Sequence, residues 1–326
     1  MPPPDYALAV VEDVWGEPFD AFAAEHPVLR RPDAWSDRDA LRFASRAARA
    51  LAIRNRTRID AALMDSAPHL RVLLRAGVGL DNIDLDAADA RGVVVVSPRS
   101  ANAQSVAEHT LALALCLARD LVRHDASIRD GRWERTPGSE IGGGVWGLLG
   151  AGATARAVAR LARGLDMRIR AYDPFIDSAT AERAGIELCD LADVAATADV
   201  LSVHLPADDS TRGIVGEDLL ARLRPTCLLV NVGRGEAVDE EALASALHRR
   251  QLAGAALDVR ATEPPGPGPL DDAPNLVLSP HVAGITRQSQ DRIAHALIAN
   301  LRALLRGEGA PDAVGAVRRV TDWAAR

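Results

Sequence analysis

Short apolar runs alternate with amphipathic stretches along almost the whole chain, and this alternation constrains the fold more than any other feature of the sequence. The pattern is typical of strand, helix, strand units that fold into parallel sheets. It therefore predicts an α/β protein. The chain has 326 residues, more than one hydrophobic core usually organises, so we expect two domains.

The apolar runs place the predicted strands, and the stretches between them place the helices. Predicted strands are 6–11, 51–53, 72–74, 93–96, 145–149, 167–172, 200–203, 228–232, 255–259 and 276–278. Predicted helices include 39–50, 60–65, a long one over 105–123 and a last one over 287–305. Ser105 as the N-cap and Glu108 three residues later would form a capping box. Apolar side chains at helical spacing in the last helix predict that it packs on the first domain; they are Ile293, Leu297, Leu301 and Leu304.

Composition excludes several function classes. A net charge of -7 argues against a nucleic-acid partner, because such proteins usually carry a basic face. All 38 basic residues are Arg, which excludes lysine Schiff-base chemistry and any P-loop lysine. Cys116, Cys189 and Cys227 are far apart and in no C-x-x-C pair, so we expect reduced thiols and no metal site. With no signal-like N-terminus and no long apolar run, the sequence predicts a cytoplasmic protein without a membrane partner.

A glycine-rich motif lies between a predicted strand and a predicted helix. Gly150, Gly152 and Ala155 form G-x-G-x-x-A between VWGLLG and TARAVARLARGL. In a dinucleotide site the first glycine permits a tight turn, the second lets the backbone approach a pyrophosphate, and the third position packs closely. The alternative for such a triplet is an ordinary turn.

An acidic residue ends the next predicted strand. Asp173 lies 21 residues beyond Gly152, where a carboxylate can accept hydrogen bonds from an adenosine ribose. No Arg occurs among residues 174–177 to neutralise a 2'-phosphate, so the sequence favours NAD over NADP. The alternative is a solvated surface carboxylate.

Three polar residues follow successive strands in the second half: Arg234, Glu263 and His281. Carboxyl ends of parallel strands form the ligand crevice of an open α/β sheet, so the three are expected to converge. Arg can bind a carboxylate, His can exchange a proton near neutral pH, and Glu can orient the imidazole. Asp258 is a candidate contact for the nicotinamide amide. The alternative is that these are solvated loop residues.

The motifs together resemble the D-isomer specific 2-hydroxyacid dehydrogenases, particularly the phosphoglycerate dehydrogenase and hydroxypyruvate reductase branch. The matching segments span nearly the whole chain and lie at 75–92, 102–119, 150–159, 203–215, 231–243, 255–265 and 280–284.

The resemblance implies a function and a set of sites. It implies NAD-dependent hydride transfer at C2 of a small 2-hydroxy or 2-oxo acid, with Arg234, Glu263 and His281 as catalytic residues. Implied cofactor contacts are Val78, Gly150, Gly152, Ala153, Thr154, Ala155, Asp173, Leu205, Val232, Gly233 and Asp258. Val78 and Gly79 would hold the substrate carboxylate with Arg234, beside His281, while Arg54 and Arg75 would contact its far end.

The resemblance also implies the architecture. A Rossmann NAD-binding domain, 101–285, would be inserted in a flavodoxin-like substrate domain made of 1–100 and 286–326, with the active site in the cleft between them. The segment from Ser105 onwards would form a homodimer interface. The chain ends soon after its last predicted helix, so we expect no C-terminal regulatory domain.

Some features depart from the family pattern, and two other functions stay open. Arg260 replaces the usual aromatic residue, and Arg56 and Arg58 make the loop after Ile53 basic, so substrate preference is expected to differ. One alternative is an NAD(H)-sensing protein of the corepressor kind. The other is a formate or phosphite dehydrogenase on the same fold, although Glu263 argues against the formate version.

Overall fold

The computed structural model describes residues 5–320, and the chain divides into two units. The first unit combines Met1–Asn102 with Arg287–Arg326, and the second is the continuous segment Ala103–Thr286. Each unit has its own sheet.

In chain order the strands are β1 (Tyr6–Val10), β2 (Val28–Arg30), β3 (Ala48–Ile53), β4 (Val72–Arg75), β5 (Val94–Val96), β6 (Val145–Leu149), β7 (Arg168–Tyr172), β8 (Glu187–Leu188), β9 (Val200–Val203), β10 (Leu228–Asn231), β11 (Gly254–Leu257), β12 (Leu276–Leu278) and β13 (Ala313–Val314). The α-helices are α1 (Glu17–Glu25), α2 (Arg38–Ala47), α3 (Ala61–Asp65), α4 (Leu85–Ala90), α5 (Ala103–Ala118), α6 (Leu121–Arg129), α7 (Ala153–Arg163), α8 (Ser178–Arg183), α9 (Leu191–Thr197), α10 (Glu217–Leu220), α11 (Glu240–His248) and α12 (Arg287–Leu305). Two short 3-10 helices cover Ala34–Ser36 and Gly235–Ala237.

The sheet of the first unit has the order β13-β5-β4-β3-β1-β2. Strands β1 to β5 are parallel, and β13 pairs antiparallel with β5. The order β2-β1-β3-β4-β5 is that of flavodoxin-like folds. Helix α12 returns to this unit, where Ile293, Leu297, Leu301 and Leu304 are buried in one core with strand residues such as Leu8 and Val10.

The sheet of the second unit is entirely parallel and has the order β12-β11-β10-β9-β6-β7-β8. The chain runs outward from β6 in one direction and returns to its other side at β9, which is the Rossmann arrangement. Ligands bind outside the carboxyl ends of the strands at this switch point. The predicted fold class, with two doubly wound sheets, is confirmed.

The predicted long helix over 105–123 is wrong. Two helices, α5 and α6, replace it, and Asp120 between them has a left-handed φ of 51°. The predicted capping box is also wrong, because α5 already begins at Ala103. The buried Ser105 hydroxyl lies 2.8 Å from that of Thr286, and Glu108 accepts a hydrogen bond from Gln104.

The predicted helix 39–50 extends three residues too far. Residues 48–50 belong to β3, which pairs with β1 from Ala48 opposite Tyr6 onwards. Alanine favours helix locally, and pairing with a strand far along the chain overrides that preference here.

Candidate active site

The glycine loop connects β6 to α7 at the switch point of the second sheet. Gly150 has a φ of 90°, which favours glycine, and a Cβ there would lie 3.1 Å from the carbonyl oxygen of His204, which would have to shift slightly. A Cβ at Gly152 would meet no atom within 4 Å, which leaves open space over the loop. No side chain caps the first turn of α7, where Ala153 and Thr154 lie. Its N–H groups are therefore available to a pyrophosphate, and the loop fits a dinucleotide.

Asp173 lies against this loop at the end of β7. One carboxylate oxygen accepts the N–H of Ala151 at 2.7 Å, and the other accepts those of Phe175 and Ile176 at 2.8 and 3.2 Å. Arg156, which the sequence patterns did not single out, donates from Nη1 to the Ala151 carbonyl at 2.8 Å. Its one sequence signal is its position in the first turns of α7. Both backbone groups of Ala151 in the loop are thus hydrogen-bonded, its N–H to the Asp173 carboxylate and its carbonyl to the Arg156 guanidinium.

Two further predicted cofactor residues pack closely. A Cβ at Gly233, after β10, would lie 2.9 Å from the carbonyl oxygen of Leu205, after β9. The loops after these neighbouring strands therefore touch through their backbones. Val232 packs against the hydrophobic core beneath them, and the buried Ala155 belongs to the same core.

Glu263 and His281 form a direct pair in the second unit. His281 Nδ1 lies 2.7 Å from Glu263 Oε2. An ionised carboxylate only accepts hydrogen bonds, so Nδ1 carries the proton and Nε2 is the nitrogen that faces other partners. His281 has a φ of 55°, which is strained for a residue with a side chain.

The pKa of Glu263 is held low. Burial raises this pKa, but the hydrogen bond and charge of His281, the N–H of Arg260 and the charge of Arg234 outweigh that effect. Glu263 is therefore a carboxylate at neutral pH. This fits a group that orients an imidazole and stabilises its protonated form.

Arg234 follows β10, as predicted. Its Nη1 donates to the carbonyl of Gly233 at 2.9 Å, and the Asn231 side chain donates to the Arg234 carbonyl at 2.9 Å. Its positive charge acts on Glu263. The second unit thus carries all three predicted catalytic side chains after β10, β11 and β12.

Asp258 organises the segment that carries His281. Its side chain is 1% exposed and accepts the Ser279 hydroxyl at 2.5 Å and the N–H groups of Val282 and Ala283 at 3.0 and 2.8 Å. The predicted contact of Asp258 with the nicotinamide stays a prediction. The structure shows that Asp258 also holds the segment that carries His281. Ser279 also lies 3.0 Å from His109 Nε2, a long-range pair that no motif indicated.

These partners set the pKa of Asp258. Burial raises it, but the hydrogen bonds from His109, Ser279, Val282 and Ala283 outweigh burial and hold the pKa below its ordinary value of 3.8.

The predicted substrate residues of the first unit lie after β3, at the last position of β4 and after β4. Arg54 donates from Nη1 to the Asp13 carbonyl at 3.0 Å. Arg75 is buried, donates to the Ala76 carbonyl at 2.9 Å and lies against Gly77. Val78 and Gly79 are half-buried. Their contacts with substrate stay predictions.

Sequence patterns missed the residue that shapes the loop after β3. The buried Glu12 carboxylate accepts the N–H groups of Arg54 and Thr57 at 2.8 Å each and that of Arg56 at 3.3 Å. Glu12 directly follows the apolar run predicted as the strand 6–11, and that position is its only sequence signal.

Comparison with known proteins decides the family. Residues 111–283 match the family model described as D-isomer specific 2-hydroxyacid dehydrogenase, NAD binding domain. The chain is 42% identical over 280 residues to the D-3-phosphoglycerate dehydrogenase of Mycobacterium tuberculosis, covering 85% of this chain and 53% of that protein. The chain belongs to the D-isomer specific 2-hydroxyacid dehydrogenase family. The predicted family is confirmed.

Two further comparisons cover most of the chain. The (S)-sulfolactate dehydrogenase of Chromohalobacter salexigens is 38% identical over 273 residues, 82% of this chain and 88% of that one. The crystal structure of the TT0316 protein of Thermus thermophilus has a TM-score of 0.86 at 31% identity and covers 94% of this chain and 99% of that chain. The chain spans about half the length of the curated phosphoglycerate dehydrogenases that it matches.

Within residues 5–320 no group of three His, Cys, Asp or Glu side chains is arranged to hold a metal ion. Among the helices described above, none is both long and apolar enough to cross a membrane.

Proposed function

We propose that this protein is an NAD-dependent dehydrogenase that interconverts a small 2-hydroxy acid and its 2-oxo acid. One observation carries the proposal: the 2.7 Å pair of His281 and Glu263, within reach of the Arg234 charge, in a unit that matches the family's NAD-binding domain. The pair supplies a proton carrier, and Arg234 supplies a cation for a carboxylate.

Each side chain has a distinct task in the proposed reaction. The nicotinamide cofactor, when bound, would supply the hydride as NADH in the reduction and accept it as NAD+ in the oxidation. Arg234 binds the substrate carboxylate and polarises the neighbouring carbonyl. His281 gives a proton from Nε2 to the oxygen that becomes the hydroxyl, and takes it back in the oxidation direction. Glu263 holds the proton on Nδ1 and stabilises the imidazolium state.

Cofactor choice rests on Asp173. Its carboxylate lies against the glycine loop, and a 2'-phosphate there would meet like charge. We therefore propose NAD rather than NADP as the preferred cofactor.

The testing experiment is NADH oxidation with a panel of 2-oxo acids, with NADPH in parallel. The panel includes glyoxylate, hydroxypyruvate, phosphohydroxypyruvate and sulfopyruvate, because two relatives are named for 3-phosphoglycerate and sulfolactate. Turnover of one acid with NADH preferred supports the proposal. NADH binding without turnover of any acid contradicts it and favours an NAD(H)-sensing role.

We also propose a homodimer. Apolar side chains lie exposed on α6 and the segment after it, with Leu121 at 53%, Val122 at 55%, Ile128 at 50% and Trp133 at 79% exposure. Such a patch is typical of an interface. Sedimentation analysis is expected to show a dimer for the wild type and for Phe175→Ser, and a monomer for the double variant Ile128→Asp and Trp133→Asp. A wild-type monomer contradicts the proposal.

A further inference from the structure

Glu240 and Arg260 form an ion pair next to the proposed site. Arg260 donates from Nε and Nη2 to the two carboxylate oxygens of Glu240 at 2.9 and 2.8 Å. The Arg260 side chain is 11% exposed and that of Glu240 is 17% exposed. A two-pronged pair with so little contact with water fixes both side chains in direction as well as distance.

The pair holds the loop that carries Glu263. Glu240 also accepts the N–H of Ala261 at 3.1 Å, so it grips the loop by backbone and side chain together. Within the loop the N–H of Arg260 donates to Glu263 Oε1 at 3.1 Å, while Glu263 Oε2 faces His281. A continuous series of hydrogen bonds therefore links the beginning of α11 to the imidazole of His281.

The same loop is packed against the Arg234 segment. A Cβ on Gly235 would lie 1.9 Å from the carbonyl carbon of Arg260 and 2.4 Å from the nitrogen of Ala261. No side chain fits there, so the two backbones are in direct contact. Gly235 is the residue next to Arg234. One loop thus touches the neighbour of the proposed carboxylate-binding residue and carries the partner of the proposed acid–base residue.

We propose that Glu240 and Arg260 are positioning residues, which hold Glu263 in the orientation that its pair with His281 requires, and that Arg260 does not bind substrate. This rests on the function proposed above. The Arg260 guanidinium lies only three residues from Glu263 in the chain. Because it is paired with Glu240, it does not provide a second anion-binding site beside Glu263. The expectation that substrate preference differs where Arg260 replaces the family's aromatic residue stays a prediction, and the role proposed here for Arg260 is in loop geometry.

Electrostatics keep the pair formed at neutral pH. The hydrogen bond from Arg260 is the largest influence on the pKa of Glu240 and, with the Ala261 N–H and the Arg260 charge, lowers it despite burial. The Arg260 N–H contributes to lowering the pKa of Glu263 as well. Loss of the grip is therefore expected to raise the pKa of Glu263.

The test uses Glu240→Gln, Arg260→Lys and Arg260→Gln, with Glu187→Gln as the matched control. Glu187 also pairs with an arginine, Arg170, at 2.9 Å, but on β8 at the opposite edge of the sheet from β12. Steady-state kinetics over a range of pH give kcat and the KM values, and amide hydrogen exchange reports on residues 260–263. Exchange needs no turnover, so it separates this proposal from the proposed activity.

We expect Glu240→Gln to lower kcat about ten- to a hundredfold, because small displacements of catalytic groups have effects of this size. We expect the KM for NADH to stay within about twofold of the wild-type value. We expect the acidic limb of the pH profile of kcat to move to higher pH, because the pKa of Glu263 rises. Amide hydrogen exchange at residues 260–263 is expected to become faster. Arg260→Lys retains part of the rate. Glu240→Gln and Arg260→Gln combined lose no more than either alone, because both break one interaction.

Three results would overturn the proposal. The first is a kcat for Glu240→Gln no lower than that of Glu187→Gln. The second is a lowered kcat with an unmoved acidic limb and unchanged exchange at 260–263. The third is a changed KM for the acid alone in the Arg260 variants, which would make Arg260 a substrate contact. If the wild type turns over no acid, the proposed activity fails. Unchanged amide hydrogen exchange at 260–263 in Glu240→Gln would then overturn the proposal that Glu240 and Arg260 hold the loop that carries Glu263.

Discussion

The glycine loop and the loops around His281 both lie at the carboxyl ends of the strands of one sheet, but they are built in different ways. The glycine loop is made of backbone: a left-handed Gly150, an open Gly152 and the first turn of α7. The loops after β11 and β12 are held by carboxylates, namely Asp258, Glu240 and Glu263. The turn of the first construction is formed by neighbouring residues, with Asp173 the one carboxylate that reaches it from 22 positions away. Most contacts of the second construction join groups 18 to 25 positions apart.

This difference teaches what each region tolerates. In the glycine loop the sensitive property is backbone conformation, and we expect a change there to act on cofactor binding. In the His281 region the sensitive property is ionisation and hydrogen bonding, and we expect a change there to act on rate and on pH dependence. Substitutions that separate these effects test the comparison directly.

The largest expected effect is that of His281→Asn. Loss of the proton carrier is expected to lower kcat about 10²- to 10⁴-fold, the usual size of a general acid–base contribution. The dissociation constant of NADH is expected to stay within about twofold of the wild type, because the glycine loop is untouched. Steady-state kinetics and fluorescence titration with NADH measure the two quantities. Near-normal turnover would remove His281 from the mechanism.

Asp258→Asn is expected to have the next largest effect. An amide cannot accept the Ser279 hydroxyl and two backbone N–H groups as a carboxylate does, so a buried donor is left without an acceptor. We expect the free energy of unfolding to fall by about 1–3 kcal/mol. We expect kcat to fall about tenfold, because the displaced segment carries His281. Chemical denaturation and kinetics measure these, with Asp177→Asn, an exposed helix cap on α8, as the control.

The same variant gives a pH prediction with a definite sign. The pKa of Asp258 is lower in the folded state than in the unfolded state, so its stabilisation is present above the unfolded value and is lost as the pH falls through the folded value. The stability difference between wild type and Asp258→Asn is therefore expected to be constant between about pH 5 and 8 and to shrink below about pH 4. A difference that grows towards acid would contradict this assignment.

Gly150→Ala is expected to have the smallest effect, and on cofactor binding. A side chain at a φ of 90° costs about 1–2 kcal/mol, and its Cβ would press on the His204 carbonyl. We expect NADH to bind about tenfold more weakly, while kcat at saturating NADH stays within about twofold. Gly143→Ala is the matched control, because Gly143 also has a positive φ of 76° but meets no atom and precedes β6. Equal weakening in both variants would show a general loss of stability instead.

The glycine loop and the His281 region also differ in how much of each could be predicted from the sequence. The glycine loop and Asp173 could be predicted as a dinucleotide site because such a site needs particular residues at fixed short spacing. Arg234, Glu263 and His281 were identifiable as strand-end residues, since parallel strands bring their ends together. The Glu240–Arg260 pair, the Ser279–His109 contact and the grip of Glu12 on Arg54 depend on which side chains meet after folding. No local spacing encodes such meetings.

Local propensity misled in a similar way. The apolar and alanine-rich run before Asp120 favours an unbroken helix, yet α5 ends at Ala118 and the left-handed Asp120 directly precedes α6. The residues 48–50 form strand because β1 pairs with them. At residues 48–50 this tertiary pairing outweighed about 1 kcal/mol or less of intrinsic preference per residue.

Helix α12 has a consequence for the order in which the protein is made. It supplies Ile293, Leu297 and Leu301 to the core of the first unit, although the ribosome adds it after the whole of the second unit. The core of the N-terminal sheet therefore cannot be completed until the intervening segment Ala103–Thr286 and then α12 have been synthesised. The second unit, in contrast, is synthesised as one continuous segment. Of these two units, the one whose synthesis begins first is therefore completed second.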